Sequence, residues 1–146
     1  MKIFLAYRFT DEDINELEKI LSKIKSILES KGGDVFCSLF LEDRFQNKGL
    51  SYKEIYDYCS KKLKEHDIIL FFIKSEGKSK GMEIELDEAV KNGKKIILAI
   101  QKDLHFTKFR SVAHQTIEYN ELSDLYDSLA KNISLTAIMQ KPPTKF

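Results

Sequence analysis

Short apolar runs alternate along the chain with longer stretches whose apolar residues recur every third or fourth position. That is the pattern of strands and helices taking turns. Lys2–Phe9 (KIFLAYRF) predicts a buried first strand. Thr10 stands where an N-cap belongs, and Asp11, Glu12 and Asp13 supply the acidic first turn that the helix dipole favours. The apolar face of this helix is Ile14, Leu17, Leu21, Ile24 and Leu28, and Gly32–Gly33 ends it. Asp34–Phe40 predicts a second strand, and a polar loop runs from Glu42 to Gly49. Ser51 and Glu54 form a capping box for a helix through Ile55, Tyr58 and Leu63. Asp67–Lys74 (DIILFFIK) is apolar between its ends, as expected of a central strand covered on both faces. After a loop, Ser75–Lys80, a helix is predicted from Gly81 or Met82 to Asn92, stopped by Gly93. Lys95–Ile100 predicts another buried strand and Thr116–Tyr119 a shorter one. A last helix, capped by Asn120, runs to about Asn132. The tail Ser134–Phe146 holds Pro142 and Pro143 and is expected to lie loosely on the surface or at a subunit contact.

Alternation of this kind implies right-handed crossovers and an α/β fold: a single doubly wound, three-layer, Rossmann-like or flavodoxin-like domain with a parallel sheet of about five strands. The domain is expected over residues 1–133, with 134–146 as a C-terminal tail. In such sheets ligands bind beyond the carboxyl ends of the strands. That directs attention to Tyr7–Thr10, Ser38–Gly49 and Lys74–Glu85.

Composition narrows the classes. A chain of 146 residues, 42% hydrophobic and 32% charged, fits one soluble domain. A net charge of +1 argues against a nucleic-acid polymer or a membrane surface as partner, since those binders carry a one-sided surplus. The apolar run Ile3–Tyr7 is too short for a signal peptide, and no stretch reaches the roughly 20 apolar residues of a membrane span. Cys37 and Cys59 are too few for a disulfide framework, so a reducing cytosol is the expected compartment. His66, His105 and His114 form no triad pattern and join no metal-binding cluster; neither a metal nor another cofactor is expected.

The segment Ser79-Lys80-Gly81-Met82-Glu83-Ile84-Glu85-Leu86 follows the central strand and opens a helix. Backbone N–H groups near Gly81 and Met82 therefore face the ligand side, as donors to a phosphate or a ribose hydroxyl. Ser79 adds a hydroxyl, and Gly81 permits close approach. On a helical wheel the apolar stripe is Met82, Leu86, Ala89 and Val90, with Glu83 and Glu85 on its opposite borders. The wheel does not choose between the two glutamates, and acids in a first turn also serve simply to complement the dipole.

The order strand, Ser-x-Gly-x-x-x-Glu-Leu, then Ala-x-x-x-Gly-Lys-x-Ile-Ile falls here on Ser79, Gly81, Glu85 and Leu86, then Ala89, Gly93, Lys94, Ile96 and Ile97. It resembles the nucleoside 2′-deoxyribosyltransferase superfamily, which includes the 2′-deoxynucleoside 5′-monophosphate N-glycosidases. The first strand Lys2–Ala6 resembles theirs too, and the order of elements agrees over about Met1–Asn132. The resemblance implies a nucleoside or nucleotide substrate, Glu85 as nucleophile at C1′, Ser79 on the phosphate side and Gly81 as the close-approach glycine. It also implies retaining glycosyl transfer to water or to another base, and a homodimer or higher homo-oligomer in which a neighbour closes the site.

Two positions depart from that pattern. The family's sugar-orienting aspartate, eight residues before the acid that opens the central strand, falls on Cys59. Asp57 lies nearby, but two residues along a helix is a rotation of about 200°; it is carried forward as a candidate orienting acid. After the first strand, where some members have a glycine-rich loop, this chain has Tyr7-Arg8-Phe9-Thr10. Here Arg8 offers a cation for a phosphate and Tyr7 or Phe9 a face for a base. With Ala6 these residues complete the expected binding set of Ala6, Tyr7, Arg8, Phe9, Ser79, Gly81 and Met82.

A TIR-type domain is the nearest alternative. Phe4–Arg8 resembles its opening, and NAD-cleaving members also place a glutamate six residues after a serine, again Glu85. It would hydrolyse NAD or act as a signalling adaptor. Against it stand Gly81-Met82 where Trp-Cys is usual, and the absence of any tryptophan. A non-catalytic nucleotide-binding module is the further alternative.

Overall fold

The structure, a computed structural model, describes residues 1–9, 12–77 and 79–142. Five parallel strands form one sheet in the order β2-β1-β3-β4-β5: β1 Lys2–Tyr7, β2 Asp34–Phe36, β3 Ile68–Ile73, β4 Lys95–Gln101 and β5 Gln115–Tyr119. The helices are α1 Ile14–Ser30, α2 Glu42–Asn47, α3 Tyr52–Lys64, α4 Lys80–Lys91, α5 Thr107–Val112, α6 Leu122–Lys131 and α7 Leu135–Met139. The three-layer parallel architecture expected from the alternation is the one observed.

Strand alternation divides the core in two. Ile3 and Leu5 of β1, Ile68, Leu70 and Phe72 of β3, and Ile97 and Ala99 of β4 pack against Leu17, Leu21, Ile24 and Leu28 of α1 and Leu125 and Leu129 of α6. Their neighbours Phe4, Ala6, Ile69, Phe71, Ile73, Ile96, Leu98 and Ile100 face the opposite layer, against Cys59 and Leu63 of α3, Met82, Leu86 and Ala89 of α4, and Phe109 of α5. All six residues of β3 are buried, so it holds the centre.

Several boundaries differ from the sequence reading. Thr10 and Asp11 lie outside the described residues; α1 is capped by Asp13, whose Oδ1 accepts from the Glu16 amide at 3.1 Å. The second strand is three residues long, and Ser38–Leu41 continues as a 3-10 turn. The expected polar loop is largely α2. α6 is capped by Glu121 in a capping box with Asp124, one residue beyond Asn120. The tail is not wholly loose: Ser134 caps α7, and Leu135 and Ile138 are buried against the α1 and α6 side.

The strand order makes β1 and β3 neighbours whose following helices leave to opposite faces, α1 to one and α4 to the other. A crevice opens at such a point. Beyond the carboxyl ends of these strands lie the segments expected to bind.

Candidate active site

Ser79 caps α4, its Oγ accepting from the Met82 amide at 3.2 Å. The helix thus starts at Lys80, one or two residues earlier than expected, and this shifts the two glutamates relative to its end. Glu83 remains in the first turn, exposed. Glu85 is in the second turn and half-buried, next to the buried stripe Met82, Leu86, Ala89 and Val90. The choice the wheel leaves open is made by packing: only Glu85 turns toward the protein. Burial, with a smaller repulsion from Glu88, pushes its carboxyl up to about 8. Position explains why the helix dipole does not hold it ionised, since that influence fades within the first turn. Glu88 itself accepts from Ser60 Oγ of α3 at 2.5 Å.

The surroundings of Glu85 are rich in thiol. Cys37, just past β2, is buried, and its thiol is pushed up to about 12, chiefly by burial, with the charges of Glu85 and Cys59 adding to the effect. Cys59 lies on the buried side of α3 among Phe4, Ala6, Met82 and Leu86. Asp57, the candidate orienting acid, is exposed on the same helix. The rotation of two residues along α3 turns Asp57 outward when Cys59 faces the sheet, so the structure does not bring Asp57 to Glu85.

Tyr56 of α3, which the sequence reading did not single out, covers the first turn of α4. A Cβ on Gly81 would meet its Cε1 at 3.2 Å and its hydroxyl at 3.6 Å. The close approach that Gly81 permits is therefore made by this ring. Tyr56 remains 45% exposed.

Ala6, at the end of β1, and Met82 of α4 are both buried in the core on the same side of the sheet. Tyr7 shares a hydrogen bond with Ser38 Oγ at 3.0 Å, tying the end of β1 to the turn after β2. Phe9 is exposed. Arg8 crosses to the loop after β3, where its Nη1 donates to Ser75 Oγ at 3.0 Å and lies 3.8 Å from Glu12 Oε1. Glu12 also meets Lys74 Nζ at 3.1 Å and accepts from Ser75 Oγ at 3.1 Å. For Lys74, burial works to lower the pKa. The hydrogen bond and charge of Glu12, and then Glu16, outweigh it and hold the ammonium above its ordinary value. Arg8, Glu12, Lys74, Ser75 and Gly77 line a narrow crevice with Phe72, Met82 and Phe106. Phe106 precedes α5 in the left-handed region, at φ 40°, a strained conformation for an aromatic residue. No sequence signal announces it.

The histidines lie elsewhere. His66 Nδ1 is 2.5 Å from the Lys62 carbonyl, and His114 accepts from the Ile96 amide. Among the described residues no group of His, Cys, Asp and Glu could hold a metal ion, and no helix is long and apolar enough to cross a membrane.

Solved structures share this fold. A CMP N-glycosidase from Clostridium botulinum is 24% identical and superposes with a TM-score of 0.67, over 91% of this chain and 100% of its own. A 2-deoxyribosyltransferase from Bacillus psychrosaccharolyticus also gives 0.67, at 18% identity, over 100% of this chain and 99% of its own. The chain has the fold of these enzymes. A conserved protein from Enterococcus faecalis V583 follows at 0.62 and 11% identity, over 91% of this chain and 99% of its own. No protein-family model matches the sequence, and no curated protein does.

Proposed function

We propose that the protein cleaves or transfers the N-glycosidic bond of a deoxynucleoside or its 5′-monophosphate, with Glu85 as nucleophile. One observation carries the reading. In a fold that it shares with an N-glycosidase and a deoxyribosyltransferase, α4 offers two glutamates at the strand ends, and only Glu85 is turned inward and desolvated. A carboxylate that attacks carbon needs that environment, because it must shed water to bond.

The reaction follows from valence. An ionised Glu85 oxygen bonds to C1′ of the sugar as the C1′–N bond breaks, through an oxocarbenium-like transition state. The base leaves with the electron pair and takes a proton from solvent. Water, or an N–H nitrogen of a second base, then attacks C1′ on the face opposite the ester and gives its proton to solvent as the bond from C1′ to the Glu85 oxygen breaks, giving net retention and returning the carboxylate. Cys59 lies on the buried side of α3 and Asp57 is exposed on it, so this reading assigns Glu85 no second carboxylate from that helix. Ser79 and the Tyr56 ring flank the first turn of α4, the turn before the one that carries the nucleophile.

The same reading includes self-association. Tyr52 and Tyr56 of α3 and Ile84 of α4 are exposed on neighbouring helices, a surface that a second copy would cover beside the site. Sedimentation should find a dimer or larger, and a Tyr52→Glu, Ile84→Glu variant should sediment as a monomer.

The test of function is chromatographic. Deoxynucleosides, deoxynucleoside 5′-monophosphates and NAD are incubated with the protein and with Glu85→Gln. Base released from a deoxy substrate by the parent protein and not by the variant is the expected result. Release of nicotinamide alone would reassign the substrate, and equal activity in the variant would remove Glu85 from the role.

A further inference from the structure

The crevice between β1 and β3 holds two cations that could receive a phosphate, Arg8 and Lys74, beside the turn that carries Ser79 and Met82. Both are already engaged by one carboxylate. Glu12, whose side chain is only 8% exposed, lies 3.1 Å from Lys74 Nζ and 3.8 Å from Arg8 Nη1. Ser75 completes a closed circuit, accepting from Arg8 at 3.0 Å and donating to Glu12 at 3.1 Å. Glu16 adds a second carboxylate, 3.5 Å from Lys74. Among the described residues, two positive and two negative side chains thus balance in the cluster.

The guanidinium is also confined. A Cβ on Gly77 would fall 1.8 to 2.1 Å from its Nη1, Cζ and Nη2 atoms, so the backbone of the loop lies directly on the group. Turning it toward a ligand means lifting that loop as well as leaving Glu12. Nor is the helix end fully available, since the Met82 amide already donates to Ser79 Oγ.

We infer that Glu12 is a specificity-determining residue: by holding Arg8 and Lys74 it makes the site select deoxynucleosides over their 5′-monophosphates. The inference rests on the glycosidic reading above and names the substrate class within it. A phosphate dianion entering here would face the Glu12 carboxylate, or would have to break charge-assisted bonds that burial has strengthened. A neutral 5′-hydroxyl meets no such opposition, and a partly buried hydrogen-bonding cluster can pair with it directly.

The experiment compares kcat/KM for a deoxynucleoside and the 5′-monophosphate of the same base, in the parent protein and in Glu12→Gln. Calorimetric binding of both ligands to the parent protein runs alongside. The parent should prefer the unphosphorylated substrate by about tenfold or more. In Glu12→Gln the preference should narrow by a similar factor, through a fall in KM for the monophosphate. A parent protein that prefers the monophosphate, or a variant with an unchanged ratio, overturns the inference while leaving the glycosidic reading intact. If neither ligand is bound or turned over, that reading falls and the inference with it. Should circular dichroism show Glu12→Gln unfolded, the parent comparison decides by itself, and Glu16→Gln, which removes the more exposed carboxylate from Lys74, should narrow the ratio by a smaller factor.

Discussion

Glu83 and Glu85 differ by two positions and by everything that matters to chemistry. The first is solvated at the end of α4, while the second is half-buried and its carboxyl is raised to about 8. Activity that needs the ionised form should therefore climb with pH, with kcat/KM half-maximal near 8 in a pH–rate profile. Stability runs the other way. An unfolded glutamate titrates near 4.5 and the folded one near 8, so between those values the folded chain keeps a proton that the unfolded chain has lost. The stabilising contribution is complete below the lower value and is lost as pH rises through the upper one. Glu85→Gln should accordingly raise Tm by a few degrees above pH 8 and add nothing near pH 4, in thermal melts across that range. Cys37 makes a separate test: its thiol is buried and pushed up to about 12. A thiol reagent at pH 8 should modify it slowly in the native protein and at once in denaturant.

Among the elements, α4 joins stability to the site. Its cap is Ser79, and loss of that oxygen should cost about 1 kcal/mol. Ser79→Ala should thus lower Tm by a few degrees and also loosen the start of the helix that presents Glu85, reducing turnover more than the melting shift alone would suggest. Much of the layout could be read from the sequence, because β1, β3 and β4 are unbroken apolar runs and the Ser51–Glu54 capping box is a local signal. Elsewhere the deciding contacts are distant. α2 has six residues and no side-chain cap, too little local signal for its sequence to announce a helix. α7 falls where the sequence predicts a loose tail, because its burial depends on α1 and α6. Ile138→Ala should cost about 2 to 4 kcal/mol in denaturant unfolding if that docking is as drawn. Glu12 illustrates the limit at the site. Sequence makes it a helix-start acid, whereas its partners Lys74 and Ser75 come from the far side of the crevice.

For the whole molecule, the sheet order sets what the site can be. Placing β1 beside β3 with α1 and α4 on opposite faces opens a crevice, and that crevice gathers Arg8, Glu12, Lys74 and Ser75 near the turn that leads to Glu85. Function in such a fold belongs to the site and not to the sheet. The central claim is thus a covalent one, that Glu85 bonds to a sugar carbon, and the most direct measurement looks for that bond. The protein is mixed with a deoxynucleoside, quenched in acid within a turnover, digested and analysed by mass spectrometry. The account predicts a deoxyribosyl ester on the peptide containing Glu85, absent from Glu85→Gln. Base release with no ester on that peptide, or an ester on another residue, would contradict it.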